Sequence, residues 1–287
     1  MKIHAIQTGT VAVKQRQPRG EGGDRTRLLR TMLDSRWTEP LPILAWAIEH
    51  PEGLIVVDTG ETARVNEPGY LPSWHPYFRT NLREWIEPEQ EIGPQLRRLG
   101  LSPDDARWVV LTHFHTDHAG GMHHFPRSDM LVTRADFEYS SGRRGMVRGF
   151  LPQHWPDWFA PTFIEFTDQA IGPFERSLPL TDAGDVVLVP TPGHTPGHVS
   201  VAVRTDEAIV LLAGDASYNQ ALMLEGAIDG VSPDGAAAHD TLRRLQRLAE
   251  SEPTVYLPAH DHRSAARLAA MEVARARRED SEAATVR

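Results

Sequence analysis

The chain has 287 residues and no cysteine, which excludes disulfides, thiolate metal sites and cysteine nucleophiles. A formal net charge of −9 at pH 7 disfavours a broad phosphate-binding surface and argues against nucleic acid as a partner. Lys2 and Lys14 are the only lysines, so a Schiff-base mechanism has little to draw on.

The N-terminal "MKIHAIQTG" alternates and predicts a strand. It carries no long apolar core or small-residue cleavage site, so no leader is expected. Residues 15–34 are polar, with Arg and Gly clusters, and predict an arm followed by a short helix. "ILAWAIEH" and "GLIVVDTG" flank "PEG" and predict a hairpin. In "EQEIGPQLRRLG", Ile92, Leu96 and Leu99 share a helical stripe that Gly100 terminates. "ARWVVLT" predicts a buried strand running straight into "HFHTDHAGG".

The second half supplies the strands "DVVLVPT", "HVSVAV", "AIVLLAG" and "TVYLPAH". Leu242, Leu245 and Leu248 mark a helix between the last two. A terminal helix is predicted over 263–280, with a frayed tail from about 279. Two strand groups with flanking helices suggest two sheets packed face to face with helices outside. Pro- and aromatic-rich stretches at 66–79 and 146–163 read as insertions over a single domain spanning 1–287. Phe150, Trp155, Trp158 and Phe159 are the residues expected to wall a pocket there. The apolar runs are too short to span a bilayer, so the expectation is a cytoplasmic protein with no membrane partner.

The segment 113–118 places His113, His115, Asp117 and His118 in six positions after a strand. Imidazole and carboxylate suit zinc, manganese, iron or cobalt. His113 and His115 are two apart and face one side of an extended backbone, while Asp117 and His118 turn toward a second point. Four donors from one loop exceed what one ion needs, which suggests two adjacent ions. Further donors stand at predicted strand ends: His194 in "PTPGH", Asp215 in "LLAGD" and His260 in "YLPAH". His198, Asp261 and His262 lie close to these in sequence and read as supporting or surface groups. His123 and His124 read as non-ligands on a helix. His4, His50, His75, His154 and His239 have no supporting context.

In order, H-x-H-x-D-H, "TPGHTPGH", "GD" and a late "PAH" resemble the metallo-β-lactamase superfamily over roughly residues 2–262. The resemblance implies an αββα four-layer sandwich of two mixed β-sheets, with two divalent metal ions, zinc first, at one edge. It implies that His113, His115 and His194 hold one ion and that Asp117, His118 and His260 hold the other. Asp215 would bridge them together with a hydroxide. Asp58 in "VVDTG" matches a family aspartate and would orient a ligand histidine.

Tyr218, three residues after Asp215, is similar to a tyrosine of the N-acyl homoserine lactone lactonases. That branch implies a small-molecule lactone substrate, ring opening by the hydroxide between the ions, and a homodimer in which the arm 15–34 could take part. Asp117 and Asp215 are the candidates for carrying the proton. The runner-up is a thioester hydrolase resembling glyoxalase II; another esterase or phosphotriesterase on this scaffold is a further alternative. A binding protein with a decayed site is disfavoured because all seven donor types are present. The absent cysteine excludes the zinc β-lactamases that place one at position 215.

Overall fold

The computed structural model describes residues 1–275. A first sheet takes β1 (Lys2–Val13), β2 (Leu41–His50), β3 (Gly53–Val57), β4 (Leu82–Trp85), β5 (Ala106–Val110), β6 (Asp129–Val132) and β7 (Pro161–Phe163). Their order is β4-β1-β2-β3-β5-β6-β7. A second sheet takes β8 (Leu178–Pro179), β9 (Val186–Pro190), β10 (Val199–Arg204), β11 (Ile209–Gly214) and β12 (Thr254–Pro258), in the order β12-β11-β10-β9-β8. Both are mixed: β3, β5, β6 and β7 run parallel, as do β11 and β12, and the remaining pairs are antiparallel.

Side-chain alternation along each strand builds the layers. Trp46, Ile48, Ile55 and Val57 of the first sheet meet Leu188, Val201, Val210 and Leu257 of the second in one central core. The intervening residues Ala45, Ala47 and Val56 face outward onto Ile92, Leu96, Met122 and Phe125. On the far side, Val187, Val189 and Leu211 pack on Leu242, Leu245 and Leu248 of helix Gly235–Ser251. That helix starts where Asp234 accepts from the Ala237 N–H at 2.9 Å, an N-cap. Truncating one of its buried leucines to Ala would cost about 2–5 kcal/mol. The expected four-layer sandwich is thus borne out.

Two expectations need correction. The terminal helix covers only Ser264–Ala269 before the chain turns at Met271; the expected tail at 279–287 lies outside the described residues. The 146–163 stretch ends as an edge strand, β7, and is more than a loop. The expected arm and short helix at 15–34 are present, and the arm docks on its own chain. Gly230 N donates to the Gln17 carbonyl at 2.7 Å, Gly20 N to Ile228 at 2.8 Å, and Arg27 Nη2 to Ser232 at 2.7 Å. Its helix, Asp24–Met32, was visible in the local pattern, whereas its docking depends on residues some 200 positions away. No helix among the described residues is long and apolar enough to cross a membrane.

Candidate metal centre

Strand ends of both sheets converge on one point. The loop after β5 carries His113, His115, Asp117 and His118. His194 follows β9, Asp215 follows β11 and His260 follows β12. Asp215 comes directly after Gly214, whose φ is +53°. A Cβ there would stand 2.8 Å from both Thr112 Oγ1 and His198 Nε2, so the tight approach requires glycine.

The structure brings all seven predicted donors together in two overlapping groups. His115 Nδ1 lies 2.9 Å from His113 Nε2 and 2.9 Å from His194 Nε2. Asp117 Oδ2 lies 3.3 Å from His260 Nε2 and 3.9 Å from His118 Nε2. Asp215 stands between the groups. Its Oδ2 is 3.4 Å from His194 Nε2, while its Oδ1 is 3.4 Å from His118 Nε2 and 3.3 Å from His260 Nε2.

Outer hydrogen bonds set which nitrogen each ring presents. His118 Nδ1 donates to Asp58 Oδ2 at 2.8 Å. His260 Nδ1 donates to the Pro42 carbonyl at 2.8 Å, and His194 Nδ1 to Asp229 Oδ2 at 3.1 Å. Thr112 Oγ1 donates to Asp58 Oδ2 at 2.9 Å and so accepts from His113 Nδ1 at 3.1 Å. In the neutral rings, four Nε2 lone pairs therefore point inward. The His115 Nδ1 proton can serve one neighbour and not both. His118 Nε2 and Asp215 Oδ1 are buried with no hydrogen-bond partner. Facing lone pairs and orphaned buried atoms are costly unless a cation lies between them, so this donor set fits a pair of divalent ions.

The electrostatics are correspondingly divided. Burial, reinforced by His194, pushes His115 down to about 3; burial and the neighbouring imidazoles also lower His113. Burial opposes a charge on His260, but Asp215 and Asp117 outweigh it and lift that ring to about 10. Burial likewise opposes ionisation of Asp117, yet His118 and His260 hold it down at about 2.

The site forms the floor of a cavity of about 420 Å³ lined by Val11, Val13, Leu28, Met32, Phe78 and Phe150, among others. Phe150 stacks on His115 with centroids 4.7 Å apart. The other three aromatics expected to wall the pocket do not. Trp155 and Phe159 pack against Phe114 and Phe137 on the outer face of the first sheet. Trp158 is 42 % exposed. The turn Pro152–His154 separates Phe150, which lines the cavity, from these residues, which do not. Leu28 and Met32, from the arm, line the cavity instead, which the sequence reading did not anticipate.

Several contributors escaped the sequence reading. Gln17 Nε2 lies 2.8 Å from the hydroxyl oxygens of both Tyr218 and Tyr77. Asp229 holds His194, and its Oδ1 accepts from the Val231 and Ser232 amides; the local Asx turn was readable in "DGVS", but its partner was not. His198 did not escape that reading: read as a supporting or surface group, it accepts at Nε2 from the Asp215 N–H at 3.0 Å. His75 Nε2 donates to the Val147 carbonyl at 3.0 Å and His154 Nε2 to that of Tyr70 at 2.9 Å. These two histidines, which had no sequence context, tie the two insertions to each other. Asp261 is buried but serves Gln220, Arg263 and Arg267, and His262 is exposed.

A sandwich of two mixed sheets with a histidine- and aspartate-rich centre at the strand ends defines a class. Residues 38–260 match the model of the metallo-beta-lactamase superfamily, and the chain belongs to that superfamily. Among its relatives, an N-acyl homoserine lactonase of Bacillus thuringiensis is 29 % identical over 223 residues, covering 77 % of this chain and 82 % of the relative. The N-acyl homoserine lactonase AttM of Rhizobium radiobacter is 26 % identical, covering 91 % and 93 %. An N-acyl homoserine lactone hydrolase solved with N-hexanoyl-L-homoserine at its catalytic metal centre shares the fold. Its TM-score is 0.72 at 23 % identity, with 91 % and 93 % of the two chains covered.

Proposed function

We propose that this chain hydrolyses the lactone ring of N-acyl homoserine lactones, with two divalent ions, zinc foremost, held by His113, His115, Asp117, His118, His194, Asp215 and His260. The observation that carries the reading is the placement of Tyr218. Its side chain lines the apolar cavity above the donor set, and its ring packs on His260 with centroids 5.3 Å apart. The named relatives act on the same substrate class.

Two metal ions held by these residues would supply Lewis acidity to a carbonyl oxygen and would acidify water toward hydroxide. The chain supplies the rest. Burial, then the charge of Asp215, pushes the Tyr218 hydroxyl well above its ordinary value, so it stays protonated. With the Gln17 amide oriented as described, Nε2 donates to the Tyr218 oxygen and leaves that hydroxyl's own proton free for a substrate oxygen. Tyr77 donates in turn to Gln17 Oε1 at 3.1 Å. Asp117 is the better-placed proton carrier: its side chain is 16 % exposed toward the cavity, against 4 % for Asp215. Phe150, Leu28, Met32 and Val147 offer the acyl chain an apolar wall.

The direct test is acid release in weak buffer by zinc-loaded protein, with short- and long-chain acyl homoserine lactones compared with S-lactoylglutathione. Release from the lactones supports the proposal. Release from the thioester alone would replace it with a glyoxalase II-like activity.

A further inference from the structure

Outside the seven-donor centre, a second group of metal-capable side chains comes together from distant parts of the chain. The 3-10 turn Gly120–His124 brings His123 and His124 side by side, with ring centroids 4.1 Å apart. Both point an Nε2 at one oxygen of Glu91. His124 Nε2 is 2.7 Å and His123 Nε2 3.2 Å from Glu91 Oε2. The three donor atoms all lie within 4.8 Å of one another.

Each member is held from outside. Glu91 Oε1 accepts from Thr62 Oγ1 at 3.0 Å and from the Ala63 N–H at 2.8 Å, which leaves Oε2 for the imidazoles. His123 Nδ1 sits 3.3 Å from the Gly120 carbonyl and donates to it. His123 Nε2 in the neutral ring is therefore an acceptor, and it faces the carboxylate oxygen, a second acceptor. Such a pair is repulsive unless a proton or a cation lies between. The His124 ring occupies space that only glycine at position 93 leaves free, because a Cβ there would come within 2.4 Å of Nδ1. The His123 side chain is 43 % exposed, so solvent can reach an open coordination position.

We propose that Glu91, His123 and His124 form a third cation site, sharing no residue with the catalytic centre, that takes a borderline divalent ion such as zinc with water completing its shell. Two imidazoles, one carboxylate and one solvent position match zinc's preference for four mixed nitrogen and oxygen ligands. The groups around the donor set already hold it open, as outer contacts do at established metal sites. A bound ion would fasten the turn Gly120–His124 to the chain segment at Thr62–Ala63 and to the start of helix Ile92–Arg98. The inference does not depend on which substrate the catalytic centre accepts.

The test uses protein that already holds its tightly bound ions, cleared of loose metal by gel filtration and titrated with zinc chloride in a calorimeter. The wild type should take up about one further ion per chain. His123→Asn and Gly93→Ala should bind it at least about tenfold more weakly, while metal analysis of their tightly held complement stays at the wild-type value. His123→Asn changes a half-exposed side chain and keeps the test readable if Gly93→Ala fails to fold. No further uptake by wild type, as when only a proton fills the gap, overturns the proposal. Equal uptake by wild type and His123→Asn also overturns it.

Discussion

Asp58 Oδ2 accepts a 2.8 Å hydrogen bond from His118 Nδ1, and Asp58 does so from a left-handed backbone with φ of +59°. Few residues other than glycine adopt that conformation, and Asp and Asn are among those that tolerate it. The same carboxylate accepts from Thr112 N at 2.7 Å and from Thr112 Oγ1 at 2.9 Å. One side chain thus aligns His118 directly and His113 through Thr112.

Asp58→Asn should preserve the backbone turn but cannot accept all three donors. Metal affinity should fall by about 10–100-fold, the usual scale for outer contacts, with the far-UV circular dichroism unchanged. Competition against a chelator of known affinity measures this, and an unaltered affinity would remove Asp58 from that role.

Tyr218→Phe should keep its metal while kcat falls by about tenfold or more, if the hydroxyl acts on a substrate oxygen. Gln17→Ala should lower kcat by less, since it only orients that hydroxyl. In the double variant the Gln17 effect should vanish, because two residues in one network are not additive. A Gln17 effect that persists in the Phe background would show that it works through something else.

Leu28 is 49 % exposed yet lines the cavity. Leu28→Asp should raise KM for long-chain lactones by about tenfold and leave the shortest untouched, since each buried methylene is worth about 0.8 kcal/mol. Chain-length series on both proteins give the answer; a uniform rise across the series would mean that the arm acts on the metal centre instead.

Glu61 is fully buried, and burial, with the charge of Asp117 adding to it, pushes its carboxyl up to about 8. A carboxyl raised on folding contributes stability that is complete below its ordinary value, near 4.5, and is lost as pH rises through about 8. The melting temperature should therefore decline between about pH 5 and 9, and Glu61→Gln should flatten that decline. A variant that melts along the wild-type profile would assign the slope to other groups.

The sandwich and the clustering of the seven candidate donors were legible because both are written locally. Alternating strands announce their inner faces, and His113 to His118 are contiguous. His194, Asp215 and His260 are each flagged by the strand before them. What remained illegible depends on pairs far apart in sequence. Gln17 reaches Tyr218 across 201 positions and His154 reaches Tyr70 across 84, and no local pattern marks either. Trp155 and Phe159 misled because aromatic content signals burial without saying in which direction. His123 and His124 were read as spectators because Glu91, 33 residues from His124, carries no motif of its own.

His113, His115, Asp117 and His118 hang from one sheet, whereas His194, Asp215 and His260 hang from the other. Neither half of the sandwich owns enough donors to build the centre alone. Ions seated there would act as a rivet through the seam, so loading would add to the stability of the closed sandwich. An unloaded chain keeps its hydrophobic middle but lacks that fastener.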